Sequence, residues 1–133
     1  MASGTPLFQF RAKSATFRVA DTDPPLEEVS VVGKGRYRGK ELTTLYTVRI
    51  VSTGKSKDRQ EGAGILYLQG RGRATYRVEG ELSSTANWRE SVSGTMSFDE
   101  DCVGEFENLK NTRVSYQTLV NSKGESTTKV WKK

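Results

Sequence analysis

The sequence predicts an all-β fold, a single small antiparallel β-barrel of about eight strands with one short helical turn near residues 103–110. Three observations predict it. From Leu66 to Leu82 every even position is apolar or small, while the odd positions from Gln69 to Glu81 are polar or charged. That period of two belongs to β structure with one buried face. Similar alternating runs recur along the chain between turn-forming residues. Hydrophobic residues make up 34% of the 133, which suits strands with one face in water better than a helical bundle.

Taken in order, residues 1–6 read as a flexible tail, since Ala, Ser, Gly, Thr and Pro offer little to bury. Residues 7–133 read as one barrel domain. Phe8, Phe10 and Ala12 share a face. Phe17 and Val19 have the opposite parity, and a bulge near Ser14 would return them to that face. Asp21–Pro25 is a turn, a second strand runs from about Val29 to Arg38, and a third from Leu42 to Ser52. Residues Gly54–Gln60 read as a polar connection. The stretch from Gly64 to Leu82 is either one bent strand or a hairpin turning on Gly70–Arg71–Gly72. A three-residue loop keeps even positions opposite even positions, which sets Leu68 against Ala74 and Leu66 against Tyr76. After a turn at Ser83–Asn87, Trp88, Glu90, Val92, Gly94, Met96 and Phe98 fall on one face. Alternation stops from Asp99 to Thr112, where Phe106 and Leu109 suggest a helical turn plugging one end. Val114, Tyr116, Thr118 and Val120 form another strand, and Thr127–Lys132 closes the sheet. Glycines at 62, 64, 70, 72, 80 and 94 supply bending points.

GKGRYRGKEL at 33–42 and GRGRATYRVEGEL at 70–82 echo each other. Reuse of one bent-strand solution explains the echo more simply than a repeat unit. Neither segment has the spacing of a Walker loop or a dinucleotide fingerprint, and neither opens a helix.

The chain has no His, which removes Ser-His-Asp and Cys-His catalysis and the usual catalytic zinc sites. Cys102 is the only cysteine, so no internal disulfide forms. Asp99, Glu100, Asp101 and Glu105 around it would raise its pKa, which suits a buried structural thiol. DEDCVGEFENLK at 99–110 matches a calcium loop at three positions only, with Lys110 where the bidentate Glu belongs. No metal or cofactor is expected. With no secretion signal, no long apolar span and a single Cys, the expected location is cytoplasmic, with no membrane partner.

If even positions face inward, Tyr46, Tyr76, Trp88, Glu90 and Tyr116 form a mixed aromatic and polar interior suited to a small, largely apolar ligand. An acid–base pair of Glu90 with a tyrosine is the enzymatic alternative, although no complete catalytic motif supports it. The net charge is +5, which permits nucleic acid as a partner without implying it. The outer face would carry Arg36, Arg38, Arg71, Arg73 and Arg77, the residues for that alternative. Glu79 and Glu81 interrupt the patch. Self-assembly into a homo-oligomer is the remaining interaction role.

The hairpin LYLQGRG, the strand VEGEL at 78–82, the segment VSGT at 92–95 and GEFENLKNTRVSYQ at 104–117 resemble the allene oxide cyclase-like and dirigent-like barrels of the calycin group. The resemblance covers about half the chain and rests on motifs general to small barrels. It implies an eight-stranded barrel with a ligand-sized interior, in families that are frequently trimeric. It carries over no substrate-steering residue.

Overall fold

The two-residue period carries through the computed structural model, which describes residues 4–13, 15–23, 25–51, 58–85 and 89–132, the side chains of residues 84, 85, 89 and 90 excepted. Nine strands follow in order: β1 (Phe8–Ala12), β2 (Ala15–Thr22), β3 (Pro25–Tyr37), β4 (Lys40–Val51), β5 (Asp58–Leu68), β6 (Gly72–Thr85), β7 (Arg89–Gly104), β8 (Arg113–Val120) and β9 (Ser126–Lys132). Among the described residues a single 3-10 turn, Glu107–Leu109, precedes β8. All strand pairs are antiparallel, in the order β1-β9-β8-β7-β6-β5-β4-β3-β2, and an added β1–β3 pairing closes eight strands into a barrel with β2 outside it.

Parity sets the core. On β4 to β9 the buried side chains sit at even positions, among them Leu42, Leu66, Tyr76, Met96, Tyr116 and Val130, with Trp131 of β9 the exception. On β3 they sit at odd positions, Val29, Val31 and Tyr37. The switch comes from the two-residue turn between Tyr37 and Lys40, where Arg38 (φ 52°) and Gly39 (φ 77°) both take the left-handed conformation that a type I′ hairpin requires. A two-residue loop changes which parity faces the core.

The β5–β6 loop has three residues, as parity demanded, but it is Gln69–Gly70–Arg71, one position earlier than expected. Leu68 therefore pairs with Gly72, and Leu66 with Ala74. Gly70 (φ 63°) is the residue that turns the chain. Gly72 is kept in the strand because β7 crosses close over it: a Cβ there would lie 2.7 Å from the Val103 carbonyl oxygen.

Four other expectations are corrected. Asp58–Gln60 belong to β5, so the polar connection is shorter than the composition suggested. Pro25 opens β3, a position where a proline's missing N–H is tolerated. Strand β7 runs on to Gly104 through a register shift opposite Thr75, which leaves extra residues between Phe98 and Cys102. Asp99 and Asp101 stand in that bulged segment and bind Thr75 and Arg73. The last concerns β2. A one-residue shift separates the Arg11↔Lys34 pairing from Ala15↔Val31, and it does return Phe17 to the face of Val29. Phe17 is nonetheless 65% exposed and Val19 68%, because β2 pairs only with β3 and extends past the end of β9.

The echo segments have different roles. The first spans the end of β3 and its turn into β4, whereas the second spans the β5–β6 turn and one continuous strand, so they are not copies of one unit. The N-terminal tail is partly tied down, since the Trp131 indole N–H donates to the Gly4 carbonyl (3.0 Å).

One end of the barrel is packed shut. Phe106 and Leu109, from the segment around the 3-10 turn, are buried there, and the Phe106 ring stacks on Tyr37 at 5.2 Å. Phe8 meets Tyr37 and Phe98 edge-on.

Closure depends on the short β1–β3 pairing at Gln9–Arg11. A Cβ on Gly35 would lie 1.9 Å from the Gln9 carbonyl oxygen, whereas one on Gly33 would meet the Phe10 ring at 2.8 Å. A ring can give way and a paired backbone cannot. Gly35→Ala is therefore expected to cost at least about 1–3 kcal/mol, more than Gly33→Ala, in parallel denaturant melts.

Candidate functional site: the open end of the barrel

Inward positions of consecutive strands stack polar groups across the middle of the barrel. Thr44 of β4 donates its hydroxyl proton to the Ile65 carbonyl (3.0 Å), so the Tyr76 hydroxyl, 2.7 Å away, donates to Thr44. Thr118 and Thr128 bond each other across β8 and β9 (2.7 Å). The Tyr116 hydroxyl donates to Gln60 Oε1 (2.9 Å). Ser126 and Thr128 offer hydrogen bonds to the Tyr46 hydroxyl.

Glycine makes room for two of these phenols. A Cβ on Gly64 would stand 2.4 Å from the Tyr76 hydroxyl, and one on Gly80 2.5 Å from that of Tyr116. Burial raises the Tyr46, Tyr76 and Tyr116 hydroxyls above the ordinary tyrosine pKa, Tyr76 and Tyr116 the furthest. For Tyr76 the mutual proximity of the three phenols adds to the effect, and the bond to Thr44 opposes it. Around neutral pH all three are protonated hydrogen-bonding groups.

Beyond this polar layer, toward the end opposite Phe106, the barrel is not filled. A cavity of about 290 Å³ opens there, walled by Val29, Val31, Val48, Ile50, Leu82 and Val92, with Tyr46, Gln60, Thr118 and the carboxylate-bearing Glu27 among its polar lining. Phe17 of β2 and Ser122 and Gly124 of the β8–β9 turn line its mouth. The opening exists because β2 continues along β3 without a partner on its other edge, so the wall is incomplete beyond the last β1–β9 pair, Ala12↔Ser126.

Of the residues expected to line a ligand site, Tyr46 borders this cavity, while Tyr76 and Tyr116 complete the hydrogen-bonded layer beside it. Glu90 forms a ladder pair with Val120, a cavity residue, and its side chain is not among those described. Trp88 lies outside the described residues. Sequence reasoning missed Gln60, Glu27 and Phe17. Extending the even parity of β5 back from Gly62 would have found Gln60. Nothing in the sequence signalled that β2 would form a rim.

The arginine face is largely satisfied internally. Arg73 pairs with Asp101 (2.8 Å), and Arg77 approaches Asp99 (3.9 Å). Arg36 donates to the Gly39 carbonyl, and the Arg38 guanidinium lies 5.0 Å over the Tyr37 ring. Lys40 binds Glu105, whose carboxyl this bond holds below the usual range, with Arg71 and Arg38 adding to the effect. Cys102 is buried, and burial pushes its thiol up, with Asp101 and Asp99 adding to the shift. The acidic neighbours read from the sequence are thus the smaller cause.

Among the described residues no helix is long and apolar enough to cross a membrane. What stands of the resemblance to allene oxide cyclase-like and dirigent-like proteins is the eight-stranded antiparallel barrel. No protein-family model, curated protein or solved structure matches this chain, so no family is identified.

Proposed function

We propose that this barrel is a binding module for a small, largely apolar molecule taken in through its open end. The supporting observation is the 290 Å³ cavity itself, lined mainly by aliphatic side chains together with hydroxyl and amide groups and the one carboxylate of Glu27. That combination suits a compact ligand with one hydrogen-bonding group. At interior packing density the cavity holds on the order of a dozen non-hydrogen atoms.

Filling the cavity tests the reading. Val48→Phe places a ring in the unfilled space, and Ile50→Phe does so nearer the mouth. Calorimetric titration with 1-decanol is expected to show saturable binding to the parent protein and at least tenfold weaker binding to either variant. Equal affinity in folded variants would refute the reading.

A second reading, self-association, is favoured by one observation. Val32, Leu45 and Ile65 pair in a row across the outer faces of β3, β4 and β5, with Val32 55% and Leu45 43% exposed. Sedimentation of the parent and of Leu45→Lys separates the two: a dimer or trimer lost in the variant supports self-association through this row.

A further inference from the structure

The charge pattern of the open end restricts what the cavity can take, an inference that rests on the binding role above. The chain carries 21 Lys and Arg against 16 Asp and Glu. Among the described residues no Lys or Arg lines the cavity, and the one charged lining residue is Glu27. Glu27 and Glu28 are adjacent on β3 and face opposite sides of the sheet. Glu28, outside, binds both Arg18 (2.7 Å) and Arg49 (3.4 Å), and the hydrogen bond from Arg18 is the main influence holding its carboxyl below the usual range. Glu27, inside and half-buried, has no ion-pair or hydrogen-bond partner among the described residues. A carboxylate partly withdrawn from water, with no cation among the described residues beside it, is left to meet water or a ligand.

Gln60 adds acceptor and donor capacity. Glu27 pairs with Ile50, and Ile50 with Gln60, so the three lie on one rung of β3, β4 and β5. The Gln60 carbonyl accepts from Tyr116 with one lone pair, which leaves a second acceptor site and an amide N–H2 without a recorded partner among the described residues.

We infer that the cavity selects an amphiphile whose polar group is a cation or an uncharged hydrogen-bonding group, and that it excludes carboxylates such as fatty acids. A primary ammonium meets the Glu27 carboxylate and the free lone pair of Gln60 Oε1, with its apolar body between Val29, Val48 and Val92. A hydroxyl uses Gln60 alone. A carboxylate at the same place faces Glu27 at short range, and among the described residues no Lys or Arg lines the cavity to offset the repulsion.

Three probes with one apolar body test this at pH 7 by calorimetry or ligand-observed NMR: decylamine, 1-decanol and decanoate. The expected order is decylamine tightest, 1-decanol about threefold or more weaker, and decanoate at least tenfold weaker than 1-decanol. Glu27→Gln is expected to remove the advantage of decylamine over 1-decanol, so that the two bind the variant within about twofold of each other. Decanoate binding as tightly as 1-decanol would overturn the inference while leaving the cavity as a binding site. So would a decylamine preference unchanged in Glu27→Gln. If none of the three saturates, the binding role itself fails, and this inference with it.

Discussion

Phe106→Ala is expected to lose about 3–5 kcal/mol of folding stability. Phe106 is fully buried at the closed end, where its ring stacks on Tyr37. It also packs beside Gly72, whose added Cβ would stand 3.3 Å from Phe106 Cδ2. The surrounding backbone has little freedom to collapse onto the space left. Leu109 N–H bonds the Phe106 carbonyl, and Glu105 N–H bonds Arg71 across to the β5–β6 turn. Against a total of about 5–15 kcal/mol for a domain, this loss removes a large share. Urea melts of the parent and the variant measure it, as a lower midpoint at unchanged slope. A shift below about 1 kcal/mol would show that the end is not the tight plug described.

Stability is expected to fall steeply once pH rises above about 10, the ordinary tyrosine pKa. The sign follows from burial. Tyr46, Tyr76 and Tyr116 all have pKa values raised in the folded state. In the unfolded chain these phenols release their protons near pH 10, while the barrel retains them. The unfolded state then binds fewer protons, so stability decreases with pH. It is fully present below the unfolded value and is lost as pH climbs toward the folded ones. Each retained proton contributes a slope of up to about 1.4 kcal/mol per pH unit, so the three together give a strong dependence. Denaturant midpoints at pH 8, 10 and 11 measure it, and Tyr116→Phe is expected to reduce the slope by about one proton's worth. A slope unchanged in that variant would mean that the Tyr116 hydroxyl titrates normally in the folded barrel.

The interior of most of the sheet was legible in the sequence because each strand has one wet and one dry face. Leu42, Thr44, Leu66, Leu68, Ala74, Tyr76, Val92, Met96, Phe98 and Tyr116 face inward as parity predicts, through the β5–β6 turn; Trp88 and the Glu90 side chain lie outside the described residues. Turn register was less legible: Gly70 and Gly72 look equally suited to a turn, and only the backbone of β7 crossing over Gly72 decides which of them stays in the strand. Strand β7 outran its predicted end because a bulge and a run of acids hide the period from Asp99 to Val103.

The candidate site was half legible. Tyr46, Tyr76 and Tyr116 follow from parity alone. The opening does not, because it depends on β2 leaving the closed ring, which is a property of how strands of unequal length pair and not of any local motif. Phe17 shows the difference: its facing was deducible from a bulge near Ser14, but its exposure follows from the missing neighbour. Gln60 sits in an expected connection, and Glu27 lies between the turn expected at Asp21–Pro25 and the strand expected from about Val29, so their inward facing went unread.

The most direct test of the open end as a binding site is an NMR titration of the labelled protein with 1-decanol, following backbone amide and methyl signals residue by residue. Shifts are expected at the methyls of Val29, Val31, Val48, Ile50 and Val92, which wall the cavity. Leu42, Leu66, Met96 and Leu109, in the packed remainder of the core, are expected to stay unmoved. Shifts confined to the outer row of Val32, Leu45 and Ile65, or none at saturating 1-decanol, would contradict a binding role for the cavity.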